Sequence, residues 1–363
     1  TAFLSLSDMG KALPSYEEIP IACRMDEAVQ SEYKRIENAL VRVLRSDRRA
    51  AQKILSAYLN LLTVYPDQPY DQKPILYPDS DVPIVEPENI GDVDTLGEKE
   101  QRTLEIVKAA IQNGERALIY TSWVRTDSQQ KLKKLLTDEG YRTEILTDKI
   151  KTTDREDWVQ KKLAAGMQVL IVNPSLVETG LDLNAFTTLV FYSMGYKLFT
   201  LRQASRRSWR INQKAPAVKV YMLYYEDTMQ QKCLKLMASK LAVAGLIEGN
   251  FSEEGLAAMS DVQDMTSQMA KELMLGIRDN VEDIAAAFKK MAFENPDREV
   301  PEVPAEEAAL PPPTVIEQSK RVFTAEQEEK LQAAMVQLEQ QKAKRTKKTQ
   351  QVENQLSLFD SVA

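Results

Sequence analysis

The chain has 363 residues, 43% of them hydrophobic, enough for one or two packed domains and a tail. Its net charge of −7 argues against indiscriminate coating of nucleic acid but leaves room for a local basic groove. There is no histidine, and the two cysteines are Cys23 and Cys233, which excludes His-ligated zinc, Ser–His triads and histidine general bases.

Two distant thiols suit a reducing, cytoplasmic compartment. No apolar run approaches the roughly 20 residues of a membrane span, so no membrane partner is expected. No signal peptide is visible, and the chain opens on Thr1, as a piece of a longer protein would.

In chain order, residues 17–24 read as a short extended segment. Tyr33, Ile36, Leu40, Val43 and Leu44 then fall at helical spacing, and a second apolar helix is predicted around 48–64. Residues 66–94 hold Pro66, Pro69, Pro74, Pro78, Pro83 and Pro87 and read as an irregular connector. From 95 the pattern alternates. Helices are predicted at 97–113, 127–139, 154–165 and 198–212, and strands at 117–121, 143–146, 169–172, 189–192 and 218–224. Short apolar β-rich runs between helices indicate a parallel sheet covered on both faces.

This is an α/β fold, one RecA-like lobe of about 150 residues. Residues 226–292 read as helices with a break near Glu248–Phe251, the part from 251 to 295 serving as a helical brace. Residues 296–363 begin Pro/Glu/Ala-rich and are expected to be disordered, apart from a polar helix opened by a capping box at Thr324 and Gln327. A basic run at 342–348 precedes the C-terminus.

The densest chemical signal lies in Gln203–Gln213. Residues 197–214 hold Lys197, Arg202, Arg206, Arg207, Arg210 and Lys214 without an acidic residue. On the predicted helix, Arg207 and Arg210 share a face. Two adjacent guanidiniums suit a polyphosphate that gains charge in a transition state; a solvated basic face is the plainer alternative. One strand upstream lies Glu178-Thr-Gly-Leu-Asp-Leu-Asn184.

The order of these segments resembles the second lobe of superfamily-two helicases, most closely the Swi/Snf-type double-stranded DNA translocases. The resemblance covers about residues 10–250. Arg116-Ala-Leu-Ile-Tyr-Thr-Ser-Trp123 is similar to that family's strand-to-loop segment, Ser175–Asn184 to its Gly-Leu-x-Leu-Asn motif, and Gln203–Gln213 to its Gln-x3-Arg-x2-Arg-x2-Gln motif. Lys214-Ala-Pro216, the strand after it and Glu226–Gln230 continue the match; upstream, Leu13-Pro14 through Tyr33 and the helix ending Leu61–Pro66 are similar to the bridge between lobes, which assigns 1–94 to bridging helices and a connector. Three positions depart from the pattern. Leu176 stands where Thr is usual, Asp182 replaces a Gly, and Trp209 stands where His is common.

The resemblance implies that Arg207 and Arg210 act as arginine fingers, with Gln203 positioning Arg207 or the attacking water. Gly180 would allow close approach to the nucleotide and Asp182 would face its ribose. A loop glycine and a helix cap are the plainer alternatives for these two. Ser122, Trp123 and Ser175 would contact the DNA backbone, without reading sequence, unless Trp123 belongs to the core. Nowhere is there a Gly-x4-Gly-Lys-Ser/Thr loop, nor a magnesium-binding Asp-Glu pair at the end of a strand in the matching lobe. ATP and Mg2+ would therefore be bound mainly by a separate N-terminal RecA-like lobe, and this chain alone would not hydrolyse ATP. A catalytically silent adaptor with the same lobe, or half of an RNA helicase, are the alternatives.

The terminal Gln355-Leu-Ser-Leu-Phe359 resembles the bacterial sliding-clamp-binding motif. Leu356, Leu358 and Phe359 would fill an apolar pocket and Gln355 would anchor its entrance. The resemblance implies a bacterial or mobile-element host, a nucleoid-associated location and the clamp as a partner.

Overall fold

In the computed structural model, the described residues are 13–122, 128–177, 181–193 and 204–248. The brace, the tail expected to be disordered and its clamp peptide lie outside them. Chain contacts divide between Pro313 and Thr314, and every described residue belongs to the first unit.

Eight strands and six longer α-helices make up most of the regular structure described. They run β1 (Ser15–Cys23), α1 (Glu27–Ser46), α2 (Arg48–Val64), β2 (Ile75–Leu76), β3 (Pro83–Val85), α3 (Glu98–Gln112) and β4 (Ala117–Tyr120). Then follow α4 (Ser128–Asp138), β5 (Thr143–Leu146), α5 (Arg155–Ala164), β6 (Val169–Val172), β7 (Thr188–Phe191), β8 (Ala217–Tyr225) and α6 (Met229–Glu248). The main sheet has the order β1-β8-β7-β4-β6-β5, and every pair in it is parallel.

The central strands are apolar on both sides because helices cover both faces. Leu118, Tyr120, Leu170, Val172, Leu189 and Phe191 pack into one core with α1, α2 and α6. Ala117, Ile119, Val169, Ile171 and Val190 point the other way, onto Val107 and Ile111 of α3 and Leu132 and Leu136 of α4. This two-residue alternation is hidden in the sequence because both faces are buried.

Local signals set the helix starts. Asp47 caps α2, its carboxylate accepting from the amides of Arg49 and Ala50, both at 3.0 Å. Glu100 Oε2 accepts the Gly97 amide at 3.0 Å and closes the first turn of α3.

Residues 15–23 take the extended form expected for 17–24. They form an edge strand, paired with β8 in register from Ser15↔Ala217 to Cys23↔Tyr225. An edge strand tolerates Pro20, whose missing amide would break a central ladder. The described residues before 95 share one core with those of the sheet. The connector also holds more order than its prolines suggest: β2 and β3 form an antiparallel hairpin, and Asp67 and Tyr70 are buried.

The expected helix over 198–212 ends early. Of it, residues 204–206 are helical, 207–208 form a turn and 210 a bend; 198–203 lie outside the described residues. Its end is set by long-range bonds from Ser208 and Trp209, described below. No helix among the described residues is long and apolar enough to cross a membrane.

Candidate functional site

The sheet order places a switch point between β4 and β7. The connection after β4 leads towards β6 and β5, whereas that after β7 leads towards β8. Open α/β sheets bind ligands outside the carboxyl ends of such a pair, because the diverging loops leave a crevice. Ser122 and Ser193 follow these two strands and hold each other. The Ser122 amide donates to Ser193 Oγ at 2.8 Å, and Ser122 Oγ donates to the Ser193 carbonyl at 3.1 Å.

Asn173 extends this polar ledge to β6. Its Nδ2 donates to the Ser122 carbonyl at 3.2 Å, while its Oδ1 accepts the Ser175 amide at 2.9 Å and the Ser175 hydroxyl at 2.6 Å. The structure thus brings Ser122 and Ser175 together through a residue the sequence reading missed. The motif "strand, then Asn-Pro-Ser" was its available signal, since Asn before a turn often captures the amide two residues on. Ser175 is exposed and Ser122 half-buried. Both hydroxyl protons already have internal acceptors. A phosphate contact from either serine therefore exchanges one acceptor for another by rotation at χ1. Trp123 lies outside the described residues.

The second group of candidates lies where residues 181–184 meet 204–213. Ser208 Oγ donates to the Leu183 carbonyl at 3.1 Å. Gln213 Nε2 donates to the carbonyls of Asn184 and Ser208 at 2.9 and 2.8 Å. The Trp209 indole N–H donates to the Pro14 carbonyl at 2.7 Å, and the Tyr120 hydroxyl to the Ala204 carbonyl at 2.9 Å. These bonds draw the chain out of the helix after Arg206, so Arg207 and Arg210 do not share a helix face. They are presented instead from a stapled turn, both half-buried. The Arg207 amide donates to the Ala204 carbonyl at 3.2 Å, and the Arg210 carbonyl accepts the Gln213 amide at 3.0 Å. Burial pushes the Tyr120 phenol far up, and the positive charge of Arg207 pulls the other way.

Asp182 does not cap a helix. Its Oδ1 accepts the Asn184 amide at 3.1 Å and its Oδ2 accepts Asn184 Nδ2 at 3.2 Å, closing a local turn. Each carboxylate oxygen keeps a lone pair for a further donor, so a sugar hydroxyl remains chemically admissible. The first turn of α5 holds both flanks of this loop. Arg155 Nη1 donates to the Leu176 carbonyl at 2.8 Å, and Glu156 Oε2 accepts the Asp182 amide at 3.0 Å. Neither residue stands out in sequence. Gly180 and Gln203 lie outside the described residues.

Residues 98–212 match the family model described as the helicase conserved C-terminal domain. No curated protein matches the chain. Among solved structures, the chain is similar to the Sulfolobus solfataricus SWI2/SNF2 ATPase core in complex with dsDNA at 19% identity, with a TM-score of 0.51, over 73% of this chain and 51% of that one. It is also similar to the Sulfolobus solfataricus SWI2/SNF2 ATPase core domain at 17% identity, with a TM-score of 0.50, over 73% of this chain and 49% of that one. The chain spans about half the length of both. Its described sheet and helices thus form a RecA-like α/β lobe whose fold is shared with SWI2/SNF2 ATPase cores, with the helicase C-terminal match running through its centre.

Proposed function

We propose that this chain is the C-terminal motor lobe of an ATP-dependent double-stranded DNA translocase, completed by an N-terminal lobe that binds ATP and Mg2+. The observation that carries the reading is the stapling of the arginine turn to the 181–184 loop through Ser208 and Gln213. It supports a reading in which the two permanently charged guanidiniums act together with the 181–184 loop that carries Asp182. ATP supplies the phosphoanhydride bond that is broken. Arg207 and Arg210 would neutralise charge on its phosphates, and Asp182 would accept from the ribose. Ser122 and Ser175, joined through Asn173, would follow one DNA strand.

The test is ATP hydrolysis by the protein of the whole reading frame, with and without double-stranded DNA. Arg207→Ala or Arg210→Ala is expected to lower kcat about 10²-fold or more with nucleotide affinity less affected. Unchanged turnover in both variants would refute the assignment.

The terminal Gln355–Phe359 completes the proposal as a clamp-docking peptide. Ordering a short peptide opposes burial of only a few side chains, so its affinity should be about micromolar. Purified bacterial clamp titrated with a peptide of residues 350–363 tests this. No binding at about 100 µM, or equal binding after Leu358→Ala/Phe359→Ala, removes the clamp from the proposal.

A further inference from the structure

Trp209 stands between the two arginines, and its contacts lead away from them to the opposite end of the chain. Besides the bond from its indole to Pro14, its ring lies 4.9 Å from that of Tyr16, tilted by 41°. The Tyr16 hydroxyl donates to Glu18 Oε1 at 2.7 Å and lies 3.0 Å from Ser205 Oγ. Tyr16, Ser205, Ser208 and Trp209 are all buried. The segment 205–209 is therefore attached to β1 at two points, and β1 is itself fixed by its register on β8.

This matters because the arginines sit beyond the end of the helix. A helical residue has its direction set by the i→i−4 ladder. A turn residue has no such frame and points where its tertiary contacts hold it. Transition-state contacts tolerate little misplacement, about 1 Å costing on the order of 10²-fold.

We propose that Trp209 and Tyr16 are positioning residues for Arg207 and Arg210, so that edge strand β1 sets the aim of the arginine turn without touching the nucleotide. This inference rests on the reading of the two arginines as groups that face the polyphosphate. A buried indole that only satisfies its own N–H would support stability alone. The two roles separate on one property: misaimed arginines lose affinity for the transition state and leave ground-state binding intact.

The experiment uses the two-lobe protein with Trp209→Phe, which keeps a ring against Tyr16 and removes the donor, and Trp209→His, which restores a ring N–H. Tyr16→Phe removes the second attachment and is measured beside them. Binding of a fluorescent ADP is followed with and without aluminium fluoride, a mimic of the transferring phosphoryl group, together with kcat and KM for ATP. For Trp209→Phe, kcat and the affinity with aluminium fluoride should each fall about 10-fold, while KM and affinity for ADP alone stay within about twofold. Trp209→His should recover most of the loss, and Tyr16→Phe should move the same quantities in the same direction. Unchanged kcat in Trp209→Phe and Tyr16→Phe, or equal losses with and without aluminium fluoride, would overturn the proposal while Arg207→Ala and Arg210→Ala remain impaired. If those arginine variants are themselves unimpaired, the reading beneath it falls as well.

Discussion

Replacing Lys99 by Met tests the account of how α2 is fastened to α3 and α6. Lys99 opens α3 and is fully buried, with Nζ 2.7 Å from Asp67 Oδ1 and 2.9 Å from Gln230 Oε1. It also lies 5.2 Å from the ring centroids of both Tyr192 and Tyr225. Gln230 Nε2 reaches the Thr63 carbonyl and Asp67 Oδ2, so one ammonium ties together the end of α2 and the starts of α3 and α6. Methionine fills similar volume but strands the Asp67 carboxylate, whose side chain is 1% exposed, with Gln230 as its remaining charge-stabilising donor. Breaking such a pair from one side costs about 3–5 kcal/mol, because the remaining charge has no compensation. For a folded unit of this size that lowers the melting temperature by about 10 °C.

The pH dependence has a definite sign. Burial already holds the Asp67 carboxyl above its usual range, against the opposing pull of Lys99. Removing the ammonium raises it further. A carboxyl whose folded value is raised favours the fold when protonated, and that contribution is lost as pH rises through the raised value. The deficit of Lys99→Met in thermal unfolding should therefore be smaller at about pH 5 than at about pH 8. Lys99→Met/Asp67→Asn should recover more than half of it. A single variant within about 1 kcal/mol of the parent, or a double variant no better than the single, would refute the reasoning.

Gly97→Ala should destabilise by about 1–3 kcal/mol in denaturant unfolding, since a Cβ there would meet the buried Tyr225 hydroxyl at 2.7 Å. A neutral substitution would mean that Tyr225 shifts freely. Cys23 and Cys233 are buried, and burial pushes both thiols up to about 12. A thiol-reactive dye should find neither in the native protein and both after unfolding. Native labelling would show that the fold opens locally at these sites. Double-stranded DNA should bind without sequence preference and weaken steeply with salt, and Ser122→Ala/Ser175→Ala should lower affinity about 3- to 10-fold. Anisotropy on a chain ending near residue 292 is the control, because loss of all binding there moves the contact to the basic run at 342–348.

The parallel sheet was legible because its signal is local. Runs such as Val169–Val172 are apolar and β-branched, bounded by turns, and too short for helices. The motif order likewise put Ser122 and Ser175 just after strands, and Asp182, Arg207 and Arg210 in the longer connections after β6 and β7. The aim of these side chains was not legible. The 198–212 helix follows from local propensity, yet Trp209 finds an acceptor in Pro14 and Ser208 finds one in Leu183, partners 195 and 25 residues away. Asn173 looked like any residue before a proline until β4 and β6 were laid side by side.

What the sequence determined by itself was the alternation of elements and the identity of the charged groups, because these rest on neighbours in the chain. What tertiary structure alone decided was that residues 15–23 close the sheet beside β8, that Lys99 is buried on Asp67, and that the arginines leave the end of a helix on a stapled turn. Each of these depends on hydrogen bonds between segments distant in sequence, where a buried polar group must find a partner and local propensity gives way to that demand.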